Sequence, residues 1–247
     1  MSLSADTAIY RRADVYHDFY RGRGKDYPAE AAYVRELIRA RTADSDSLLD
    51  VACGTGAHLN ALAGAFREAA GVDLSQEMLD VAARTNPDLP WLQGDMRDFR
   101  LGRTFSAVTC MFSSIGYLQD THGLDRAVRN LADHLAPGGV LVVEPWWFPE
   151  RFRPGWVGAD VVETEGRTIA RVSHTVRAGA SSRMEVHYTV ASPEGGVEHF
   201  TDVHLMSLFE RAQYEDAFRR AGLVPEYVTH ELFGPGLFVA TRQEDAA

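Results

Sequence analysis

Between residues 47 and 145 one apolar and polar rhythm repeats. Short apolar runs lie at 48–52, 69–73, 90–93, 105–111 and 140–144, each of a length suited to a buried strand. Between them Leu59, Leu62, Ala63 and Phe66 recur at helical spacing, Ser75 is placed to cap a second helix carrying Met78, and a third amphipathic helix runs from Leu124 to Leu135. Pro137-Gly138-Gly139 then predicts a helix stop and a turn into the fifth strand. Strands alternating with helices predict a mostly parallel sheet with ligands at the carboxyl ends of its strands. After Pro145 the period changes to two. Residues 159–164, 167–177, 183–192 and 197–208 alternate, with turns at 165–166, 177–181 and 193–196, as antiparallel strands do. A helix over 213–221 and two strands near 224–229 and 237–241 close the chain. Ahead of the first strand, residues 5–42 predict helices interrupted at 21–27, the later one opened by Pro28 and carrying Val34, Leu37 and Ile38.

This pattern divides the chain into N-terminal helices with a loop (1–46), an α/β domain (47–145 and 209–247), and an all-β insertion (146–208) expected to cover a pocket, join two copies of the chain, or both. The first strand ends in Asp50-Val51-Ala52-Cys53-Gly54-Thr55-Gly56. Gly54 and Gly56 let a ligand approach main-chain N–H groups, and the helix that follows adds free donors and partial positive charge. A dinucleotide fingerprint would need a third glycine at 59, where Leu59 stands, which disfavours a nicotinamide oxidoreductase. Asp50, just ahead of the glycines, can accept from an ammonium or orient the loop. Asp73 closes the second strand about 20 residues on, where such folds place a carboxylate to receive two vicinal ribose hydroxyls. Gly54, Asp73, Asp95, residues 113–117 and Glu144 all fall at one edge of the expected sheet.

Composition narrows the class. The 247 residues allow one elaborated domain with a closed core, and the formal net charge of −10 opposes a phosphate backbone, so nucleic acid is not an expected partner. The only dense basic stretch, Arg21 to Lys25, suits a single nucleotide or a pyrophosphate; alternating glycine with Arg21, Arg23 and Lys25 gives flexible donors for phosphate or carboxylate. No run approaches the roughly 18 apolar residues of a membrane helix, and the polar N-terminus reads as no signal peptide. Cys53 and Cys110 read as two buried thiols in a reducing cytoplasm, and no Cys/His spacing resembles a zinc site. His174, His187, His199 and His204 are expected to be solvated or structural, and Tyr10, Tyr16, Phe19 and Tyr20 form an aromatic stripe more typical of core.

The glycine segment resembles motif I of class I methyltransferases that use S-adenosylmethionine (SAM). Together with Gly-Arg-Gly-Lys-Asp-Tyr at 22–27, Gly-Asp-Met-Arg-Asp-Phe at 94–99, Met-Phe-Ser-Ser-Ile-Gly-Tyr at 111–117, Val-Val-Glu-Pro-Trp-Trp-Phe-Pro-Glu at 142–150 and Arg-Met-Glu-Val-His-Tyr at 183–188, the chain resembles the sugar nucleotide N,N-dimethyltransferases that act on TDP-3-amino-3,6-dideoxyhexoses in macrolide biosynthesis. The resemblance implies a Rossmann-like, mostly parallel seven-stranded sheet, SAM as cofactor with S-adenosylhomocysteine as product and no metal, a TDP-amino sugar as substrate, and a homodimer. Carried onto this chain, it implies cofactor contacts at Asp50, Ala52, Gly54, Gly56, Asp73, Leu74, Met78, Asp95, Met96 and Met111, with Asp95 accepting from the adenine amine. It implies substrate contacts at Tyr16, Arg23, Lys25, Tyr27, Ser113, Ser114, Glu144, Trp146 and Trp147, with Tyr10 and Tyr117 nearest the chemistry.

Family members with His at the place of Tyr117 imply that no particular base is indispensable, so orientation is expected to dominate. One departure stands out: relatives carry Gly-Gly-Pro-Ser-Gly-Arg-Gly where this chain has Thr-His-Glu-Leu-Phe-Gly-Pro-Gly at 229–236. If that arginine helps bind the nucleotide, another cation must serve here. Methylation of another small metabolite, or an idle SAM-binding protein, are the competing readings.

Overall fold

A computed structural model of the chain describes residues 7–42 and 45–243. Residues 5 and 6 of the first expected helix, and 244–247 of the expected α/β domain, lie outside the described residues. In chain order the elements are α1 (Ala8–Arg11), α2 (Ala13–Gly22), α3 (Tyr27–Arg39), β1 (Ser47–Val51), α4 (Ala57–Ala63), β2 (Glu68–Asp73), α5 (Gln76–Thr85), β3 (Trp91–Gln93), β4 (Phe105–Cys110), a 3₁₀ turn (Ser114–Tyr117), α6 (Thr121–Asp133), β5 (Leu135–Val143), β6 (Trp156–Thr164), β7 (Arg167–Ala178), β8 (Ser181–Ser192), β9 (Gly196–Ser207), α7 (Arg211–Arg220), β10 (Leu223–His230) and β11 (Phe233–Arg242).

The strands form a seven-stranded sheet ordered β10-β11-β5-β4-β1-β2-β3 and a separate four-stranded sheet ordered β6-β7-β8-β9. Five neighbours of the large sheet, β5 to β3, run parallel, and β11 and β10 add antiparallel pairings at one edge. Both faces of the large sheet are covered, as continuous apolar strands require. Leu49 and Val51 pack with α6 and α7 residues such as Leu131 and Phe218, while Leu48 packs on the other face with Val34, Ile38 and Leu59. Each of these fully buried side chains contributes on the order of 1.5–3 kcal/mol.

Two local expectations change. Helix α6 starts earlier than its apolar spacing suggested, because the Asp120 side chain accepts from Gly123 N at 2.7 Å and caps it. Pro137-Gly138-Gly139 does not precede the fifth strand. It lies inside β5, where Phe105 pairs with Leu135 and Ala107 with Val140, so the three residues are taken up as a bulge.

Helices α1 and α2 are wedged between the small sheet and α5 of the large one. Ile9, Val15 and Phe19 pack into the inner face of the small sheet against Ile169, Val186 and Tyr188, whereas Ala13 packs against Met78 and Val81 of α5. Polar ties add to this. Asp202 accepts from the backbone N–H groups of Ala8 (3.2 Å) and Ile9 (2.9 Å), Arg167 pairs with Asp14 and Asp18 at 2.8 Å each, and Arg12 pairs with Glu198. Among the described residues no helix is long and apolar enough to cross a membrane.

Candidate active site

The turn after β1 is strained in a way that serves a ligand. Ala52 and Gly54 both have left-handed backbone, at φ 57° and 56°, a conformation that costs a residue with a Cβ about 1–2 kcal/mol. A Cβ built on Gly54 meets nothing within 4 Å, so it would project into open space. Asp73 holds this turn from the end of β2: its Oδ2 accepts from Gly54 N at 2.8 Å and its Oδ1 from Ser75 N at 2.9 Å. Burial raises the Asp73 carboxyl above its ordinary pKa, against the pull of those amide hydrogen bonds. Around the turn lies a narrow slot walled by Ala52, Gly54, Asp73, Leu74, Ser75, Met78, Gly94, Asp95 and Met96 and closed by Tyr10, Tyr16, Ser114 and Tyr117.

Those last four residues also border a second, wider cleft of about 940 Å³, between the sheet edge and the inner face of the small sheet. Its walls include Trp146, Trp147 and Trp156, and four arginines (Arg23, Arg151, Arg153, Arg171) against two glutamates (Glu144, Glu150). An acidic protein thus has a cleft with a surplus of positive charge. Arg171 is buried at 6 % exposure. Its Nη1 donates to Ser173 Oγ at 3.1 Å and its Nη2 to Met184 Sδ at 3.5 Å, its Nε has no partner, and no carboxylate among the described residues pairs with it. A buried cation left in this state is a ready anion site.

The floor between slot and cleft is the turn after β4. Phe112 and Ser113, both non-glycine, have φ near +57° (56° and 57°). Glu144 keeps them there: its Oε2 accepts from Phe112 N at 2.8 Å, while Ser113 Oγ donates to Pro145 O at 2.8 Å. Burial raises the Glu144 carboxyl to a pKa of about 7, opposed mainly by Lys25. The 3₁₀ turn then presents Tyr117 at the junction. Its hydroxyl lies 2.6 Å from that of Tyr10 and 2.6 Å from His204 Nδ1, so three side chains from α1, the turn and β9 form one hydrogen-bonded chain.

Several candidates fall elsewhere. Met111 lies in the core with Val34, Ala107 and Val142, off both cavity walls. Asp50, at 1 % exposure, lies beneath the slot and accepts from Thr109 Oγ1 at 2.7 Å; burial raises its pKa to about 7. Gly56 caps α4 and packs under Trp91. Lys25 and Tyr27 also leave both walls. Lys25 Nζ pairs with Glu30 Oε1 at 2.5 Å, the other oxygen of Glu30 meets His58 Nε2 at 2.7 Å, and the Tyr27 ring stands edge-on to His58. Arg23 borders the cleft but pairs with Asp160 at 3.2 Å. Asp95 is on the slot wall, and despite partial burial Arg97 holds its carboxyl below the usual range through a two-pronged pair. Ala52, Gly54, Asp73, Leu74, Met78 and Met96 line the slot; Tyr16, Ser113, Ser114, Glu144, Trp146 and Trp147 line the cleft.

Of the four histidines expected to be solvated or structural, His204 is the buried one. It is 6 % exposed, faces the cleft and bonds to Tyr117, while His174, His187 and His199 lie on the exposed outer face. Its side was legible from the period of two it shares with Asp202 and Met206, but its partner was not.

Residues 48–139 match the model of a methyltransferase domain. The chain is 60% identical to the dTDP-3-amino-3,4,6-trideoxy-alpha-D-glucopyranose N,N-dimethyltransferase of Streptomyces venezuelae over 92% of this chain and 96% of that one. It is 52% identical to the dTDP-3-amino-3,6-dideoxy-alpha-D-glucopyranose N,N-dimethyltransferase of Streptomyces fradiae, over 92% of this chain and 89% of the relative. The crystal structure of Streptomyces venezuelae DesVI superposes with a TM-score of 0.90 at 59% identity, covering 94% of this chain and 98% of that one. The chain belongs to the dTDP-amino-sugar N,N-dimethyltransferase family.

The same family includes a Saccharopolyspora spinosa relative at 45% identity, over 93% of this chain and 92% of that one, named for a 4-amino sugar. A further structural neighbour, an amino pentose methyltransferase with SAM bound, has 48% identity and a TM-score of 0.85, covering 93% of this chain and 97% of that one. As a dTDP-amino-sugar N,N-dimethyltransferase, this chain has a slot whose donor set fits a sulfonium nucleoside. A carboxylate at Asp73 suits a ribose diol, a second at Asp95 and the thioether of Met96 suit an adenine, and the space over Gly54 is what a Cβ would fill.

Proposed function

We propose that this protein transfers two methyl groups from SAM to the amine of a dTDP-linked 3-amino-deoxyhexose, as a step in building an antibiotic sugar. The observation that carries the reading is the meeting of two cavities at Tyr10, Tyr16, Ser114 and Tyr117, one with the donor set of an adenosyl ligand and one wide and cationic. The 3-position follows the relatives of 60% and 52% identity, whose names place the amine there, over the 4-amino relative at 45%. In the cleft the tryptophans suit a thymine ring and the arginines a diphosphate. Arg171 serves the anion better than Lys25, whose charge Glu30 already matches. Arg151, which stacks over the Trp147 ring at 5.6 Å beside Gly234 and Pro235, takes the part of the arginine missing from 229–236.

SAM supplies a methyl already activated on a sulfonium, so the protein's share of the work is alignment. Tyr10 and Tyr117 hold the amine at the junction, and the strained turn at Phe112 and Ser113 fixes Tyr117 there. Orientation of this kind is worth on the order of 7 kcal/mol or more, against the 10²- to 10⁴-fold typical of a general base. Replacing either tyrosine with phenylalanine therefore lowers turnover without abolishing it. Because two methyls are transferred, the cleft accepts the monomethylated amine again after cofactor exchange.

The homodimer belongs to the same proposal. Val157, Val161, Val172, Val197 and Val203 stand exposed on the outer face of the small sheet, a patch that a second copy would cover; light scattering of Val161→Glu tests it, and an unchanged mass overturns it. The catalytic reading is tested by mass spectrometry of dTDP-3-amino- and dTDP-4-amino-hexoses incubated with SAM. Two added methyl groups on the 3-amino sugar are expected; intact SAM binding with no transfer to any amino sugar refutes the reading.

A further inference from the structure

The hydrogen-bonded chain at the junction has a direction, and the direction decides what an amine meets there. Tyr10 Oη lies 2.6 Å from Tyr117 Oη, which lies 2.6 Å from His204 Nδ1, both normal lengths for hydroxyl donors. A phenol is a better donor than an imidazole N–H, and a neutral imidazole nitrogen is a far better acceptor than a phenol oxygen. The favoured polarity therefore runs one way, with Tyr117 donating to His204 and Tyr10 donating to Tyr117. It requires a neutral imidazole. Burial, with Arg171 of β7 adding to it and Asp202 of β9 opposing it, holds His204 at a pKa of about 4. Both phenol protons are then spent within the chain. Tyr10 keeps two free lone pairs, and Tyr117 keeps one.

We propose that His204 is a positioning residue that polarises Tyr10 and Tyr117, so that their oxygens meet the substrate amine as acceptors only and leave its lone pair aimed at the methyl. The inference rests on the methyl-transfer reading above. An amine donates its N–H to these oxygens, and its lone pair stays free. The N–C bond forms from that lone pair as the C–S bond breaks with its electrons on sulfur, and the surplus N–H proton leaves to water in the open cleft. Without an acceptor at 204, the Tyr117 proton turns back toward the junction, either directly or by reversing Tyr10. A hydroxyl that donates to the amine lone pair still binds the sugar but masks the nucleophile.

The prediction is therefore a split between turnover and binding. The parent, His204→Leu, His204→Asn, His204→Gln, Tyr117→Phe and the double variant His204→Leu/Tyr117→Phe are compared in steady-state methylation of a dTDP-3-amino sugar. Calorimetric SAM binding serves as the control for folding. Asn carries its amide oxygen near the Nδ1 position, whereas Gln reaches the Nε2 position. A single hydrogen bond in this range predicts a fall in kcat on the order of tenfold for Leu and Gln, with KM for the sugar no higher than the parent's, and a value within about threefold of the parent for Asn. In the Tyr117→Phe background His204→Leu has no further effect, since His204 acts through Tyr117. Equal impairment of Asn and Gln, a raised KM at full kcat, or additivity with Tyr117→Phe overturns the proposal, and the Asn and Gln pair decides it even if the Leu variant fails to fold. A parent that binds SAM but methylates no amino sugar refutes the functional reading instead.

Discussion

Gly54 and Gly56 stand two residues apart in one motif, yet the structure gives them different jobs that substitution separates. Gly56, at φ 76°, caps α4, and a Cβ there would meet Trp91 Cη2 at 2.5 Å and Ala82 Cβ at 3.3 Å. Trp91 cannot easily yield, because its Nε1 donates to Asn86 O at 2.9 Å and its ring also covers Gly71. Gly56→Ala therefore combines left-handed strain, about 1–2 kcal/mol, with overpacking of about 1–3 kcal/mol, roughly 2–5 kcal/mol together. At about 2–4 °C per kcal/mol for a chain of this size, the melting temperature falls by roughly 4–20 °C. Gly54→Ala meets only the strain, at φ 56° with nothing within 4 Å, so its melting temperature falls by roughly 2–8 °C. Its methyl enters the slot, however, and SAM affinity is expected to fall on the order of tenfold or more, with the methyl displacing ligand where the main chain should touch it. Thermal melts without ligand and calorimetric titration with SAM measure the two effects. If Gly54→Ala binds SAM as the parent does, or Gly56→Ala melts at the parent's temperature, this division of the motif is wrong.

Three further outcomes follow from the structure. Arg171→Met keeps the packing but removes the cation: KM for the sugar nucleotide is expected to rise about tenfold or more while unliganded stability is unchanged or higher, because no buried ion pair is broken; steady-state kinetics and urea melts check both, and an unchanged KM places the diphosphate elsewhere. Asp202→Ala removes the acceptor for Ala8 N and Ile9 N, worth on the order of 1.5–3 kcal/mol per charged hydrogen bond, so amide exchange over residues 8–22 should accelerate at least about tenfold; unchanged protection would show that apolar packing alone holds α1 and α2. For Glu144, burial raises the folded pKa to about 7, so its contribution to stability is full below the ordinary carboxylate range and is lost as pH climbs through 7, by up to about 3 kcal/mol. Glu144→Gln should flatten unfolding free energy between pH 5 and 8, as roughly that range spans the two pKa values, and a slope identical to the parent's in urea titrations would count against the shift.

The α/β frame was legible because its central strands are apolar on both faces and its helices on one, so period alone separates them: Leu48 and Leu49 are adjacent in sequence yet serve opposite faces of the sheet. The small sheet was legible for the same reason at period two. What period cannot see is a residue count that fits both a turn and a bulge. Pro137-Gly138-Gly139 reads as a break in either case, and only the pairing of Ala107 with Val140 decides that β5 continues through it. Slot residues were found where a motif fixes the backbone, as at Gly54 and Asp73. Candidates fell off the cavity walls where one side chain's direction matters: Met111, expected at the cofactor, follows the last residue of β4 and turns into the core, and Lys25, expected at the substrate, pairs with Glu30 five positions along the chain with its ammonium over the Phe112 ring.

The junction illustrates the limit most sharply. Tyr10, Tyr117 and His204 are separated by 107 and 87 positions, and nothing in their spacing relates them. They meet because Asp202 holds the start of α1 against β9, because Glu144 sustains two left-handed residues ahead of Tyr117, and because β9 turns 202, 204 and 206 inward together. Each of those causes is an acidic or alternating residue with an ordinary local reading. The site is thus a product of register between the two sheets. The edge of the parallel sheet supplies most of the slot and α1 and α2 close it with Tyr10 and Tyr16, while the inward face of the small sheet brings Arg171 and His204 to the cleft wall, the cation and the acceptor on which the two proposals rest.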